Sequence, residues 1–523
     1  MNIKINLDMV PDFANKQLHT SRSIEALSGA YYGGSKKRRQ THGWSPIGGD
    51  ADADTLWDLE SLRNRSRDLL RNQPIATGAV STTCTNVVGS GLKMQSRIDR
   101  KILGMEEKEA EEWQRNTERE WKSWANNLDC ALDRGANFYD CTNLVFRSAL
   151  ESGDVFVLMP FKEHPLRNYG LKLQIIEADR ICNKDRVRDT DKLTAGVEKD
   201  SNGAPTKYHI RTKHPGTDKG PYVNKWDTRD AFTKAGRRNI IHIYEKLRPG
   251  QTRGVPYLAP VLEIFKQLGK YTNAEIMNAV ISAYFTVFVK SPGGDTGIAP
   301  FEPQTETGGK ASDKDYKMGM GAFVQLANNE EVVFADPKRP NQNFDPFILA
   351  ILRQAGVALG LPFEILIQHF QKSYSAARSA FLLAGKMFST RRVWLVNHYC
   401  NIVYEAWMEE AVFRGRVAAP GFFDDHIIRQ AYLGNTWIGP APGQIDPTKE
   451  TKAAGERIEL RLTTRSGEAA AIGEDFDQNI EQAAKEERLI KESGLSSGQV
   501  TAGNKQGTEN DNTDEDKEED KDA

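Results

Sequence analysis

The residues of this chain that could do chemistry are few and poorly assembled for it. A nucleotide hydrolase needs a loop of the form G-x-x-x-x-G-K-[ST], whose backbone N–H groups cradle phosphate and whose final hydroxyl holds magnesium. The nearest stretch is Thr307-Gly308-Gly309-Lys310-Ala311, with Gln304 where the first glycine belongs and Ala311 in place of the hydroxyl. It is rejected as a phosphate site. No H-E-x-x-H, G-x-S-x-G or G-x-G-x-x-G occurs. Asp424-Asp425-His426 carries metal-ligating residue types and would suit a metal-dependent nuclease, but an Asp-Asp-His run after an aromatic pair fits a helix start better. Five cysteines (Cys84, Cys130, Cys141, Cys182, Cys400) are scattered and never form C-x-x-C, so neither a disulfide scaffold nor a zinc site is expected. Carboxylate pairs sit on charged helices and not in apolar settings that would tune them for acid–base work. No catalytic, metal or cofactor residue is predicted, and a motor is the class most clearly excluded.

Composition points the same way. The chain has 523 residues, 39% hydrophobic and 27% charged, enough for two to four domains with substantial cores. No apolar run reaches the eighteen residues of a membrane span, and MNIKINLDMVPDF has no apolar signal core. A reducing cytoplasm is the expected place of synthesis. From Thr508 to Ala523 there are nine acidic residues and two lysines, a net of −7, which leaves +5 on the rest of a chain whose total is −2. Lys36-Lys37-Arg38-Arg39 lies near the other end. It reads either as a solvated run or as an arm that touches phosphate or an acidic partner.

The elements that must position these residues begin after residues 1–50, whose basic, Ser/Gly-rich composition predicts a flexible or loosely docked arm. Asp52 to Thr55 can cap a leucine-bearing helix that Asn72-Gln73-Pro74 breaks, and Pro74 opens a second, small-residued helix through Val88. A charged amphipathic helix from Met105 to Asn127 carries Trp113, Trp121 and Trp124, as a core stripe or an intersubunit face, with core the better fit. A helix from Tyr139 to Ser152 leads into strands at Val155–Phe161, Leu171–Ile176, Lys207–Arg211 and Asn239–Tyr244. Their turn clusters argue for a mainly antiparallel sheet. The N-terminal half is therefore α+β. From Tyr257 to Tyr284 apolar residues recur at three- and four-residue steps, predicting a helix roughly 42 Å long. A β-branched and aromatic run, Phe285 to Val289, and a Gly-rich insertion follow. Strands are expected at Ala322–Ala327 and Glu331–Phe334, then helices at Asn343–Leu359 and Ser375–Phe413. The segment from Trp437 to Asp446 reads as Gly/Pro-rich, and charged helices run to about Lys491.

Several stretches resemble the phage portal proteins of the lambda family. They are RSRDLLRNQPIATGAVSTTCTNVVGSGLKMQSRID (Arg65–Asp99), VFVLMPF with LQIIEADRI, and IIHIYEKLRPGQTRGVPYLAPVL (Ile240–Leu262). LRQAGVALGLPFEIL (Leu352–Leu366), SYSAARSAFL (Ser373–Leu382) and W-I-G-P-A-P-G-Q-I-D-P-x-K-E follow in order. The resemblance covers about residues 20–490. It implies a portal-protein fold with wing, two-helix stem, clip and helical crown, assembled as a ring, typically of twelve subunits, at one capsid vertex of the virion. In this chain the wing takes residues 51–256, with the long helix and following segment at 375–440. The first stem helix takes 257–284, the clip 285–342 and the second stem helix 343–360. The tunnel loop takes 361–374 and the crown 441–492. The basic arm over 1–50 and a disordered acidic tail over 493–523 lie outside these parts.

Such a ring guides double-stranded DNA without reading its sequence, and weak contacts suit it, because many strong phosphate contacts would hold the duplex in place. Gln368, His369, Gln371, Lys372, Ser373 and Tyr374 are the tunnel-loop candidates, against a reading as ordinary loop polarity. Leu258, Leu262, Phe265, Leu268 and Ile276 are the stem-packing candidates, on the partner helix and on neighbouring subunits. Lys266 and Lys270 face either shell or channel. Expected partners are further copies of the chain, DNA, the terminase large subunit, the major capsid protein and a head-completion or tail-connector protein. Assembly is expected in the host cytoplasm, with no membrane and no cofactor. The competing readings are a metal-dependent DNA-processing enzyme using Asp424, Asp425 and His426, and a shell or scaffold protein.

Overall fold

The computed structural model describes residues 39–217, 225–283, 287–290, 331–334, 344–370, 374–441, 443 and 446–493. Helix α1 spans Ala51–Asn72 and is capped two residues before the Asp52–Thr55 run: the Asp50 carboxylate accepts from the N–H of Ala53. Gln73 breaks it, and Pro74 takes the first position of α2, Pro74–Val87, where its missing N–H costs nothing. Strand β1, Lys93–Ser96, follows. Helix α3, Glu107–Ala125, turns its tryptophans inward: Trp121 and Trp124 are buried, and Trp113 is half-buried with its N–H on the Ala418 carbonyl at 2.6 Å. Helix α4, Phe138–Ser152, starts on a capping box between Asn137 and Asp140.

The expected antiparallel sheet is present as two small ones. Strands β2, Asp154–Leu158, and β3, Gln174–Glu177, form one with β8, Ile240–Tyr244, in the order β3-β2-β8. Between β3 and β8 in the chain lie β4 (Leu193–Thr194), β5 (Val197–Lys199), β6 (Pro205–Arg211) and β7 (Trp226–Asp230), paired in sequence order. One face of β3-β2-β8 packs against the main core through Val155, Val157, Ile241 and Ile243. The other meets Tyr208 and Ile210 of the second sheet through Phe156, Ile176 and Ile240.

Helix α5, Leu262–Ala283, begins through a 3-10 turn at Ala259–Val261, so the long helix starts five residues later than periodicity predicts. Strand β9, Val287–Lys290, pairs antiparallel with β10, Glu331–Phe334, closing the insertion at its base. The strand expected at Ala322–Ala327 lies outside the described residues. Helix α6, Phe344–Leu359, returns antiparallel to α5. The Tyr257 hydroxyl donates to the Leu359 carbonyl at one end, and at the other Tyr271 stacks on Phe344 at 5.6 Å and meets Phe347 edge-on at 5.3 Å. After a short α7, Phe363–Ile367, come α8, Tyr374–Leu395, a π-helical turn at Val396–Cys400, and α9, Asn401–Phe413. The predicted helix at 375–413 is thus one rod with a π insertion, which delivers Tyr399, Tyr404 and Trp407 to the Trp121 cluster. Helix α10 spans His426–Tyr432.

A correction falls on residues 435–438. A Gly/Pro segment is expected from Trp437 onward, but Trp437 and Ile438 belong to β11, Asn435–Ile438, which pairs antiparallel with β1. Trp437 fits this place because its ring lies 5.8 Å from Trp121 and its N–H donates to Asn401 at 2.8 Å. Helices α11 (Pro447–Glu459), α12 (Arg465–Ala471) and α13 (Phe476–Ser493) complete the described chain, and none has a buried residue.

Candidate channel and assembly surfaces

The segment expected to form the tunnel loop is anchored in the core by three side chains. Leu361, Ile365 and Leu366 are buried, while Gln368, His369 and Phe370 are exposed. Gln368 adopts a left-handed conformation (φ 54°), which ends α7 and lets the His369 N–H reach the Glu364 carbonyl at 3.1 Å. Phe370 stacks on Phe381 of α8 at 5.2 Å. Of the candidates in this segment, the structure therefore brings Gln368 and His369 together on an exposed turn. Gln371, Lys372 and Ser373 lie outside the described residues, and Tyr374 begins α8.

The stem candidates divide. Leu258, Leu262, Phe265 and Leu268 are buried within the subunit, whereas Ile276 is 57% exposed. Tyr271 is level with the first turn of α6, so the remaining twelve residues of α5 run roughly 18 Å beyond it. On that length Ile276, Met277 (60% exposed) and Val280 (46%) form an apolar face at helical spacing, which no other element among the described residues buries. Phe381, Leu382 and Leu383 on α8 are exposed as well. Lys266 is exposed, within 3.8 Å of Asp68 on α1, and Lys270 is exposed.

Pattern reasoning missed the most buried charges in the chain. Asp154, at the start of β2, accepts from Arg63 of α1 at 2.7 Å, from Arg253 at 2.5 Å and meets His242 of β8 at 3.2 Å. Arg253 is 1% exposed and also donates to the carbonyls of Ile181, Ala195 and Ala178 at 2.9, 2.7 and 2.8 Å. Two glycines make room for this. A Cβ on Gly254 would lie 2.0 Å from the Gly153 carbonyl oxygen, so the segment before the stem packs backbone to backbone against the α4–β2 turn. Burial alone would raise the Asp154 carboxyl, but the Arg253 and Arg63 guanidiniums outweigh it and hold the group well below the carboxylate range. Burial lowers Arg63 to about 10 and holds the His242 imidazole down against the pull of Asp154. The cluster fixes α1, both ends of the sheet and the approach to α5 as one body. Its members lie far apart in the chain, and no local signal in any one segment marks them.

Asp424, Asp425 and His426 do not converge on a metal. The Asp425 carboxylate caps α10, accepting from the N–H of Ile427 at 2.6 Å and of Ile428 at 3.4 Å. Among the described residues no group of three His, Cys, Asp or Glu side chains could hold an ion.

Residues 37–392 match the family described as phage portal protein, lambda family. The chain belongs to that family. Among curated relatives it is 26% identical over 497 residues to portal protein B of Escherichia phage lambda, covering 90% of this chain and 92% of that one. It is 24% identical over 495 residues to the portal protein of Escherichia phage N15, with the same coverage. A probable portal protein of Halomonas phage phiHAP-1 is 24% identical over 467 residues, covering 86% of this chain and 84% of the relative. Solved structures of the neck of a native gene transfer agent particle with C12 symmetry and of the virion of such a particle are similar at 12% and 14% identity. They cover 80% and 87% of this chain and 94% and 99% of those chains, with TM-scores of 0.41 and 0.42. The match to the lambda family runs from ahead of α1 to near the end of α8, and makes this a structural component of a phage particle.

Proposed function

We propose that copies of this chain form a closed ring, of twelve subunits, at one vertex of the capsid. The ring is the channel for double-stranded DNA during packaging and ejection. It is also the platform on which the terminase large subunit and later a head-completion or tail-connector protein dock, while its outer surface meets the major capsid protein. The chain itself carries no catalytic centre, and the docked ATPase supplies the energy of translocation. Assembly takes place in the host cytoplasm.

The observation that carries the reading is the helical hairpin α5–α6 closed by β9–β10. It is rooted in the core at Phe265 and projects an apolar face at Ile276, Met277 and Val280. A projecting apolar face is stable in water only when something covers it, and identical neighbours in a ring do so without adding a new chain. In this reading residues 51–256 and 375–440 are the wing, α5 and α6 the stem, 285–342 the clip, 361–374 the tunnel loop and 441–492 the crown. Helices α11 to α13, with no buried residue of their own, are likewise packed by their neighbours. Negative-stain electron microscopy of the purified protein tests the proposal. Closed rings with a central hole are expected, and a folded protein that stays monomeric under every assembly condition overturns it.

A further inference from the structure

The edge of the β3-β2-β8 sheet is open in a defined way. The Leu173 N–H donates to the Cys130 carbonyl at 2.7 Å, and the Leu132 N–H donates to the Leu173 carbonyl at 2.9 Å, so Leu173 turns its backbone groups away from β2. The bond from the Lys172 N–H to the Pro160 carbonyl, which points the other way, fixes the alternation. By the two-residue period of a strand, Ile175 and Glu177 turn their N–H groups outward too, along with the Ile175 carbonyl. Residues 130–132 cover the edge only as far as Leu173, and the chain then turns off at Asp133 and Arg134. Beyond that point the edge forms one wall of a groove of about 560 Å3, whose other wall is α4 with Leu144, Arg147 and Ser148. Leu144 is 49% exposed there, an apolar side chain lining a row of unpaired backbone groups. An edge of this kind is a template for an added strand.

The sequence holds a strand that fits. Residues 3–9 alternate strictly, Ile3, Ile5, Leu7 and Met9 against Lys4, Asn6 and Asp8, and Pro11 ends the run. This is the pattern of a strand with one buried and one wet face. Paired on β3, its apolar face lies over α4 on the core side of the sheet. Reach is no obstacle. The chain is fixed at Gly49, whose carbonyl accepts from Arg248 at 3.0 Å, and Arg67 of α1 lines the groove roughly 24 Å along that helix from Ala51. About forty residues separate Met9 from Gly49 and extend to roughly 130 Å.

We propose that residues 3–9 of the same chain add a strand to the free edge of β3, filling the groove between β3 and α4 and making the sheet four-stranded. The inference rests on the sheet edge alone and is independent of ring formation. Hydrogen–deuterium exchange on the full-length protein and on an Ile5→Asp/Leu7→Asp variant tests it. The amides of Ile175 and Glu177 are expected to exchange slowly in the wild type and at least ten-fold faster in the variant, with β2 and β8 unchanged. Equal exchange in the two proteins overturns the proposal. A second measurement uses Leu7→Cys with Leu144→Cys under mild oxidation: a disulfide within one chain is expected. A bond that forms only between chains overturns the assignment to the same chain, and gives the edge to a second copy.

Discussion

The two halves of α5 are one helix with one sequence rhythm, yet they do opposite things. In the first half, with the turn that precedes it, Leu258, Leu262, Phe265 and Leu268 are all buried against α1, α6 and the wing core. In the second half Ile276, Met277 and Val280 keep the same spacing and stand in solvent. Periodicity reports that a helix has an apolar face, but it cannot report what covers that face. Here the inner half is covered by its own subunit and so belongs to folding. In the proposed ring the outer half is left for assembly. The expectation that all five stem residues pack alike is therefore divided between two processes.

The largest effects should come from the inner half and the charges beside it. Phe265→Ala is expected to destabilise the subunit by about 3–5 kcal/mol, by lost burial and the cavity left behind. Asp154→Ala should cost a similar amount, about 3–5 kcal/mol, because Arg63 and Arg253 would then be buried without a counter-charge. Both are read from urea denaturation of the unassembled protein. A change below about 1 kcal/mol for Phe265→Ala would remove the distinction between the halves.

A pH series sharpens the same point for the cluster. The unfolded chain takes up a proton at His242 near pH 6.5, whereas the folded chain, in which burial holds that group down, does so only at lower pH. This contribution to stability is complete above about pH 6.5 and is lost as the pH falls toward the folded value. Asp154 has the same sign at lower pH: its contribution is present above about pH 4 and fades as acid forces a proton onto it. Urea midpoints should thus decline in two stages. His242→Gln is expected to flatten the first stage and leave the second.

For the outer half, Ile276→Asp with Met277→Asp should change subunit stability by no more than about 0.5 kcal/mol, as exposed substitutions do. The same pair should abolish rings in electron micrographs, since it places charge on a face that neighbours must bury. Destabilisation of the monomer as severe as that of Phe265→Ala would show that the face is covered from within.

Sequence legibility follows the range of the interactions. Helices α1 to α4 and α6 are within two residues of their predicted bounds, because caps, breakers and periodicity are local signals. The start of α5 was less clear, since Leu258 and Val261 keep the apolar rhythm through a turn that is not α-helical. Strand β11 is hidden by Gly434 before it and Gly439-Pro440 after it, and only pairing with β1, far away in the chain, makes it a strand. The Asp154 cluster was the least legible feature. Arg63, His242 and Arg253 are unremarkable in their own segments, and burial becomes visible only when α1, β8 and the pre-stem turn meet.

The smallest structural effect belongs to a third kind of surface, exposed like the outer half of α5 but polar. Gln368 and His369 sit on a turn whose anchoring residues, Leu361, Ile365 and Leu366, are buried behind them. Removing the exposed His369 side chain leaves that anchor untouched, and His369→Ala with Lys372→Ala, the latter outside the described residues, should leave urea midpoints and ring images unchanged. What should change is the passage of DNA. Packaged genome length or retention, measured by nuclease protection in filled heads, is expected to fall, because a channel works through weak contacts that each slow backward slippage slightly. If the double variant loses its rings instead, the turn is an assembly surface, and the division between covered apolar and bare polar surfaces does not extend to it.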